Sequence, residues 1–153
     1  MPDFLLYRKN YWKDLEKDSN CIDEIWHTGQ KPFFDKVEQG DSLWVVVTDG
    51  SHHPAECEWR LLQRMVVQEK SVDYRDEYHD RPYRTDGDYE KGQRFDVEAQ
   101  FDLTPLLHKL DFKSGRRITD TGKKIGNSLQ KIRPLSESDS ALLKEYAKDL
   151  KRH

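Results

Sequence analysis

The stretch Gly40-Asp41-Ser42-Leu43-Trp44-Val45-Val46-Val47-Thr48-Asp49-Gly50 decides the fold. From Ser42 to Thr48 it is uncharged, β-branched and aromatic, and a Gly/Asp turn pair bounds it on each side. That pattern predicts a strand over Leu43–Thr48 at the centre of a β-rich core, with Trp44 as core or barrel wall. Upstream, Phe34 and Val37 lead into the Gln39-Gly40-Asp41 turn. Downstream, Trp59 to Val67 reads as a second strand, although Leu61, Leu62, Met65 and Val66 also fit a helical period.

Further out, Phe4-Leu5-Leu6-Tyr7 suits a buried first strand, and Asn10 is placed to cap a helix over Tyr11–Lys17. A second helix is expected over Ile22–His27, ending near Gly29. Residues 71–93 carry no periodic apolar pattern and are expected to form a long charged loop. Phe95 to Phe101 alternates apolar and polar and predicts a strand. Pro105 opens a short helix over Leu106–Leu110. Lys113 to Asn127 is basic and glycine-containing, a loop. Ser136-Glu137-Ser138-Asp139 is a capping sequence for a last helix over Ser140–Leu150. No internal repeat is visible, so 1–153 is expected to be one domain of mixed α and β character.

With 153 residues the chain is long enough to bury a real core. It is 36% charged and only 35% hydrophobic, yet four Trp, seven Tyr and six Phe argue against long disorder. The apolar mass therefore sits in a few large side chains. Net charge is −3, which makes no whole-molecule case for nucleic acid. The distribution is less even: acidic residues dominate Glu69 to Asp102, whereas Lys109 to Arg133 is a basic lobe. The two cysteines, Cys21 and Cys57, set up no disulfide framework and no zinc spacing. Apolar runs are too short to span a bilayer and the N-terminus lacks a secretory pattern, so the expected compartment is the cytoplasm, with no membrane partner.

The order of elements resembles the PUA-like superfamily, and within it the EVE-type domains related to YTH and ASCH domains. The residues that carry the resemblance are Phe34, Val37, Gly40, Asp41, Leu43, Trp44, Val45 and Val46, with the closing segment Ser128 to Ser136 and its helix. It implies an α+β fold: a small distorted β-barrel of about five to six strands flanked by short helices. It also implies a rim pocket for a nucleobase, since YTH-type and EVE-type domains are associated with modified bases in RNA or DNA. The charged stretch Asp73–Gly92 is larger than that family leads one to expect.

Two residue sets fit such a ligand. Tyr11, Trp12, Trp26 and Trp59 are flat apolar surfaces on which a base stacks, and Asn10, Asn127, Ser128 and Gln130 are of the type that reads its edge. The alternative for Trp12 and Trp26 is a core position on the inner face of a helix. Arg116, Arg117, Lys123, Lys124, Lys131 and Arg133 would supply phosphate contacts, or else a solvated loop. Three further patterns compete. Asp86 or Asp88 with Glu98 resembles a metal-dependent carboxylate pair, but Gln100 stands where a lysine is wanted. His52 and His53 with Cys57 suggest a metal site, but adjacent His side chains diverge in an extended chain and Pro54 favours a loop. The acidic stretch over residues 71–93 could instead bind a protein partner. Catalysis has no positive signal, and no cofactor is expected. The reading is a nucleic-acid-binding module.

Overall fold

A computed structural model describes residues 3–153. Met1 and Pro2, which enter the reading of the N-terminus, lie outside the described residues. Seven strands form one mixed sheet: β1 (Phe4–Tyr7), β2 (Ile25–Thr28), β3 (Ser42–Thr48), β4 (Trp59–Val72), β5 (Tyr83–Gly87), β6 (Gln93–Arg94) and β7 (Arg133–Pro134). The order is β2-β5-β4-β3-β1-β7, with β6 pairing β4 off this path. Only β1 and β3 run parallel; the other pairs are antiparallel. Five helices accompany the sheet: α1 (Tyr11–Lys17), α2 (Lys31–Lys36), α3 (Thr104–Lys109), α4 (Ile125–Ser128) and α5 (Glu137–Lys148). The α+β class is as expected. The sheet does not close on itself: β2 and β7 each have one neighbour, so the expected closed barrel is absent among the described residues.

Strand β3 is apolar throughout because both of its faces are covered. Trp44 and Val46 join a core with Leu5, Trp59, Leu61, Leu107 and Leu143. Leu43, Val45 and Val47 point the other way, into a core with Phe4, Leu6, Phe33, Leu62 and Met65. A strand's side chains alternate between faces, so each core draws on every second residue. Neighbouring β4 serves both cores as well, and a bulge between Val45 and Val46 of β3 leaves Leu62 without a cross-strand partner. The extra residue reverses the alternation, so Trp59 and Leu61 face one core whereas Met65 and Val67 face the other.

The last helix is held by a buried carboxylate. Ser136 is its N-cap, accepting from the Asp139 amide while Asp139 accepts from the Ser136 amide. Asp139 also accepts from the Asp111 and Phe112 amides, both at 2.8 Å. One side chain thus starts α5, which begins at Glu137 rather than Ser140, and fixes the turn at Phe112, whose φ is +57°.

Three expectations are corrected. Ile22–His27 is not a helix; Ile25–Thr28 is an edge strand paired antiparallel to Tyr83–Asp86. Phe95–Phe101 is not a strand. Asp96 accepts from the Glu98 amide and caps a 3-10 turn over Val97–Ala99, and Phe101 ends 91% exposed. The stretch over residues 71–93 is not one loop. β4 runs on to Val72, and β5 and β6 lie within it, pairing through backbone bonds with polar, mostly half-buried side chains. Asn10 does precede α1, but its side chain makes no cap hydrogen bond.

Candidate functional site

Two cavities meet at Tyr7 and Lys9, which line both. Tyr7 ends β1, and its ring stands edge-on to Trp59 at 4.7 Å. Helix α4 reaches this ring because Gly126 carries no side chain; a Cβ there would lie 2.9 Å from the Tyr7 ring.

The first cavity, about 410 Å³, is polar. Its walls are Trp26 and His27 of β2, Asn10 ahead of α1, Asp23, Gln63 of β4, and Tyr78 and Arg81 from the β4–β5 connection. Arg8 also lines it, but its guanidinium is engaged by the Cys21 carbonyl and Asp14, each at 2.9 Å. Gln63 donates to the Asp23 carbonyl at 3.0 Å. The Trp26 indole N–H is buried without an acceptor, and the hydroxyl of Thr85, the residue opposite it across the β2–β5 pair, is likewise unpartnered. A buried donor left unpaired costs about 1–3 kcal/mol, and of these two residues Trp26 alone lines the cavity.

The second cavity, about 490 Å³, opens on the other side of Tyr7 and is lined by Lys123, Lys124, Gly126, Asn127, Leu129 and Gln130 together with Lys9. Lys9, Lys123 and Lys124 are exposed, and among the described residues none has a carboxylate within ion-pair distance.

The residues expected to bind a base therefore separate. Asn10 and Trp26 line the polar cavity; Asn127 and Gln130 line the basic one. Ser128 is half-buried and lies 3.4 Å from Asp120. Trp12 donates to the Thr48 carbonyl at 2.8 Å and covers Gly50, away from both cavities. Tyr11 is 3% exposed, in the second core. Trp59 is fully buried with its N–H on the Gly122 carbonyl. Neither Tyr11 nor Trp59 has a free face for stacking, because both fill the cores that β3 divides. The phosphate candidates split too. Lys123 and Lys124 rim the basic cavity, and Lys131 is exposed but lines neither. Arg117 is paired with Asp111. Arg133 lies over the Phe112 ring at 3.7 Å and bonds the Arg116 carbonyl, so burial and the nearby Arg116 charge hold its pKa below the usual value. Tyr7, Lys9, His27 and Gln63 were not legible as site residues, since three of them occur as ordinary strand residues.

The two metal patterns have no geometry behind them here. Glu98 sits on a turn rather than an alternating strand. Among the described residues no three His, Cys, Asp or Glu side chains gather around a common point. No helix of the described residues is long and apolar enough to cross a membrane.

The strand that carries Trp26 is anchored by Glu24. Its carboxylate accepts from Arg94 at 2.5 Å, and its other oxygen is buried without a partner beside Gly87, where a Cβ would lie 2.6 Å away. Burial outweighs Arg94 and pushes the Glu24 pKa up. Folded protein then holds this proton to higher pH than unfolded chain, so stability falls as pH rises from the ordinary glutamate range through the raised value. Denaturant midpoints across that window should show this decline in the wild type and a flatter profile in Glu24→Gln. Identical slopes would remove Glu24 from the account.

No protein-family model matches the chain, and no curated protein matches it.

Proposed function

We propose that the chain is a nucleic-acid-binding module of PUA-like kind, which takes a modified or exposed base into the polar cavity beside Trp26 and sets the flanking phosphates against Lys9, Lys123 and Lys124. On this reading the open sheet is a splayed relative of the small barrel of that superfamily. The supporting observation is the junction at Tyr7 and Lys9: a polar cavity with an indole wall opens beside a cavity rimmed by unpaired lysines. A nucleotide has the same two parts, a flat heterocycle with donor and acceptor edges and a phosphate linked to it. A base edge is rich in acceptors of the kind the Trp26 N–H lacks.

Tryptophan fluorescence reads the site well, because Trp44 and Trp59 are fully buried and shielded from an external quencher. Single-stranded RNA and DNA carrying modified bases should quench it at low salt. Trp26→Ala should weaken binding by about ten- to a hundredfold, the worth of one stacked base. Absence of binding to every RNA and DNA at low salt would sink the reading.

A further inference from the structure

We propose that residues 73–81, which join β4 to β5, form a strap over the polar cavity, latched onto β2 through His27 and Gly29, which lifts to admit a base and closes to hold it. The inference rests on the base-binding reading of that cavity. The strap leaves the sheet at a neck where the Asp73 amide donates to the Pro82 carbonyl at 2.7 Å. Beyond the neck most of its side chains face water: Tyr74 is 89% exposed, and Arg75, Glu77 and Asp80 are also exposed. Its internal bonds are local, from the Tyr78, His79 and Arg81 amides to the carbonyls of Arg75, Asp76 and Tyr78. The Arg75 guanidinium also forks onto Asp73 at 2.9 and 2.7 Å, and Arg75 and Arg81 lie over the Tyr78 ring, but these contacts are within the segment and none holds it over the cavity.

Arg84 of β5 lies 3.8 Å from Asp73 at the neck, and beyond it the strap is kept down by β2. The His27 Nε2 lies 3.0 Å from the Asp73 carboxylate, and the His27 ring is stacked on Tyr78 with centroids 3.6 Å apart and planes 7° from parallel. Just past the strand, the Asp80 carbonyl comes down where Gly29 has no side chain; a Cβ there would lie 2.5 Å from that oxygen. The 3-10 turn Asp76–Tyr78 turns Tyr78 inward, so the stacked pair becomes cavity wall, and Arg81 brings a cation to the same wall. The latch sits one residue from Trp26. A base entering against Trp26 displaces the strap, and the re-formed latch then slows its escape. The strap therefore sets residence time, whereas Trp26 and the lysines set affinity at encounter.

Hydrogen exchange in ligand-free protein tests the latch, and stopped-flow release of a fluorescein-labelled single-stranded oligonucleotide tests the gate. Gly29→Ala lifts the strap without touching a cavity residue, and His27→Ala removes the contacts to Asp73 and Tyr78 while leaving the Gly29 seat in place. In each variant the amides of Tyr78, His79 and Arg81 should exchange at least tenfold faster, with β3 unchanged, and release should accelerate about tenfold. Unchanged strap exchange in both variants overturns the latch. Faster exchange with an unchanged release rate overturns the gate. A wild-type chain that binds no oligonucleotide defeats the base-binding reading and with it the gate, while the exchange measurement still decides the latch by itself.

Discussion

Trp59→Ala should lose about 3–5 kcal/mol of stability, the range for deleting a large buried aromatic. Trp59 is fully buried in the core on one side of β3 and supports Tyr7 edge-on. Its removal leaves a void that rigid strands on either side cannot collapse into, and it strips the Gly122 carbonyl of its donor. The surrounding backbone stays anchored, with the Trp59 amide on Asp102 and the Trp59 carbonyl accepting from Leu103, so relaxation is small. Urea unfolding followed by circular dichroism measures the shift in midpoint at constant slope. Trp59→Phe retains most of the ring but not the indole N–H, and should lose about 1–3 kcal/mol for the orphaned carbonyl and the smaller volume. If Trp59 were a stacking platform instead, Trp59→Ala would abolish oligonucleotide binding at nearly wild-type stability. That outcome would reverse its assignment to the scaffold.

Gly40 to Gly50 was legible in the sequence because turn, strand and turn are all local, and β3 sits where both faces are covered. Helix α1 and the cap of α5 were legible for the same local reasons. Strand β2 was not: its partner β5 lies far along the chain, and nothing within Ile22–His27 announces that pairing. The alternation over Phe95–Phe101 misled because Gln100 does a strand's work with its side chain. Its amide both accepts from the Leu61 N–H at 2.8 Å and donates to the Leu61 carbonyl at 2.7 Å, so β4 is paired there without a strand. Of the residues proposed from type alone, Asn10 and Trp26 line one cavity and Asn127, Gln130 and the two lysines the other. Tyr7 and Lys9, which join the two cavities, were hidden because a Tyr ending an apolar strand has no distinguishing pattern.

Reversing Lys123 and Lys124 to Glu should weaken oligonucleotide binding by about a hundredfold at low salt and flatten its salt dependence. Each phosphate neutralised on a single strand adds about 0.7 to the slope of log K against log salt, so the pair should remove about 1.4. Both lysines sit on the 3-10 turn Gly122–Lys124 at the mouth of the basic cavity, exposed and without a carboxylate partner among the described residues. Their reversal should leave the fold intact, because exposed charges away from buried features contribute little to stability. Arg117→Glu is the control for a single reversal elsewhere in the basic lobe, to be set beside Lys123→Glu alone. Its guanidinium is already engaged by Asp111, so reversing it breaks an exposed ion pair but removes no free cation from either cavity. Binding should then stay within about twofold. Equal losses from both reversals would mean that the strand follows the whole basic lobe from Lys109 to Arg133 and that the cavity beside Tyr7 has no privileged role. A loss confined to Lys123 and Lys124 would place the phosphates beside the same tyrosine that walls the polar cavity.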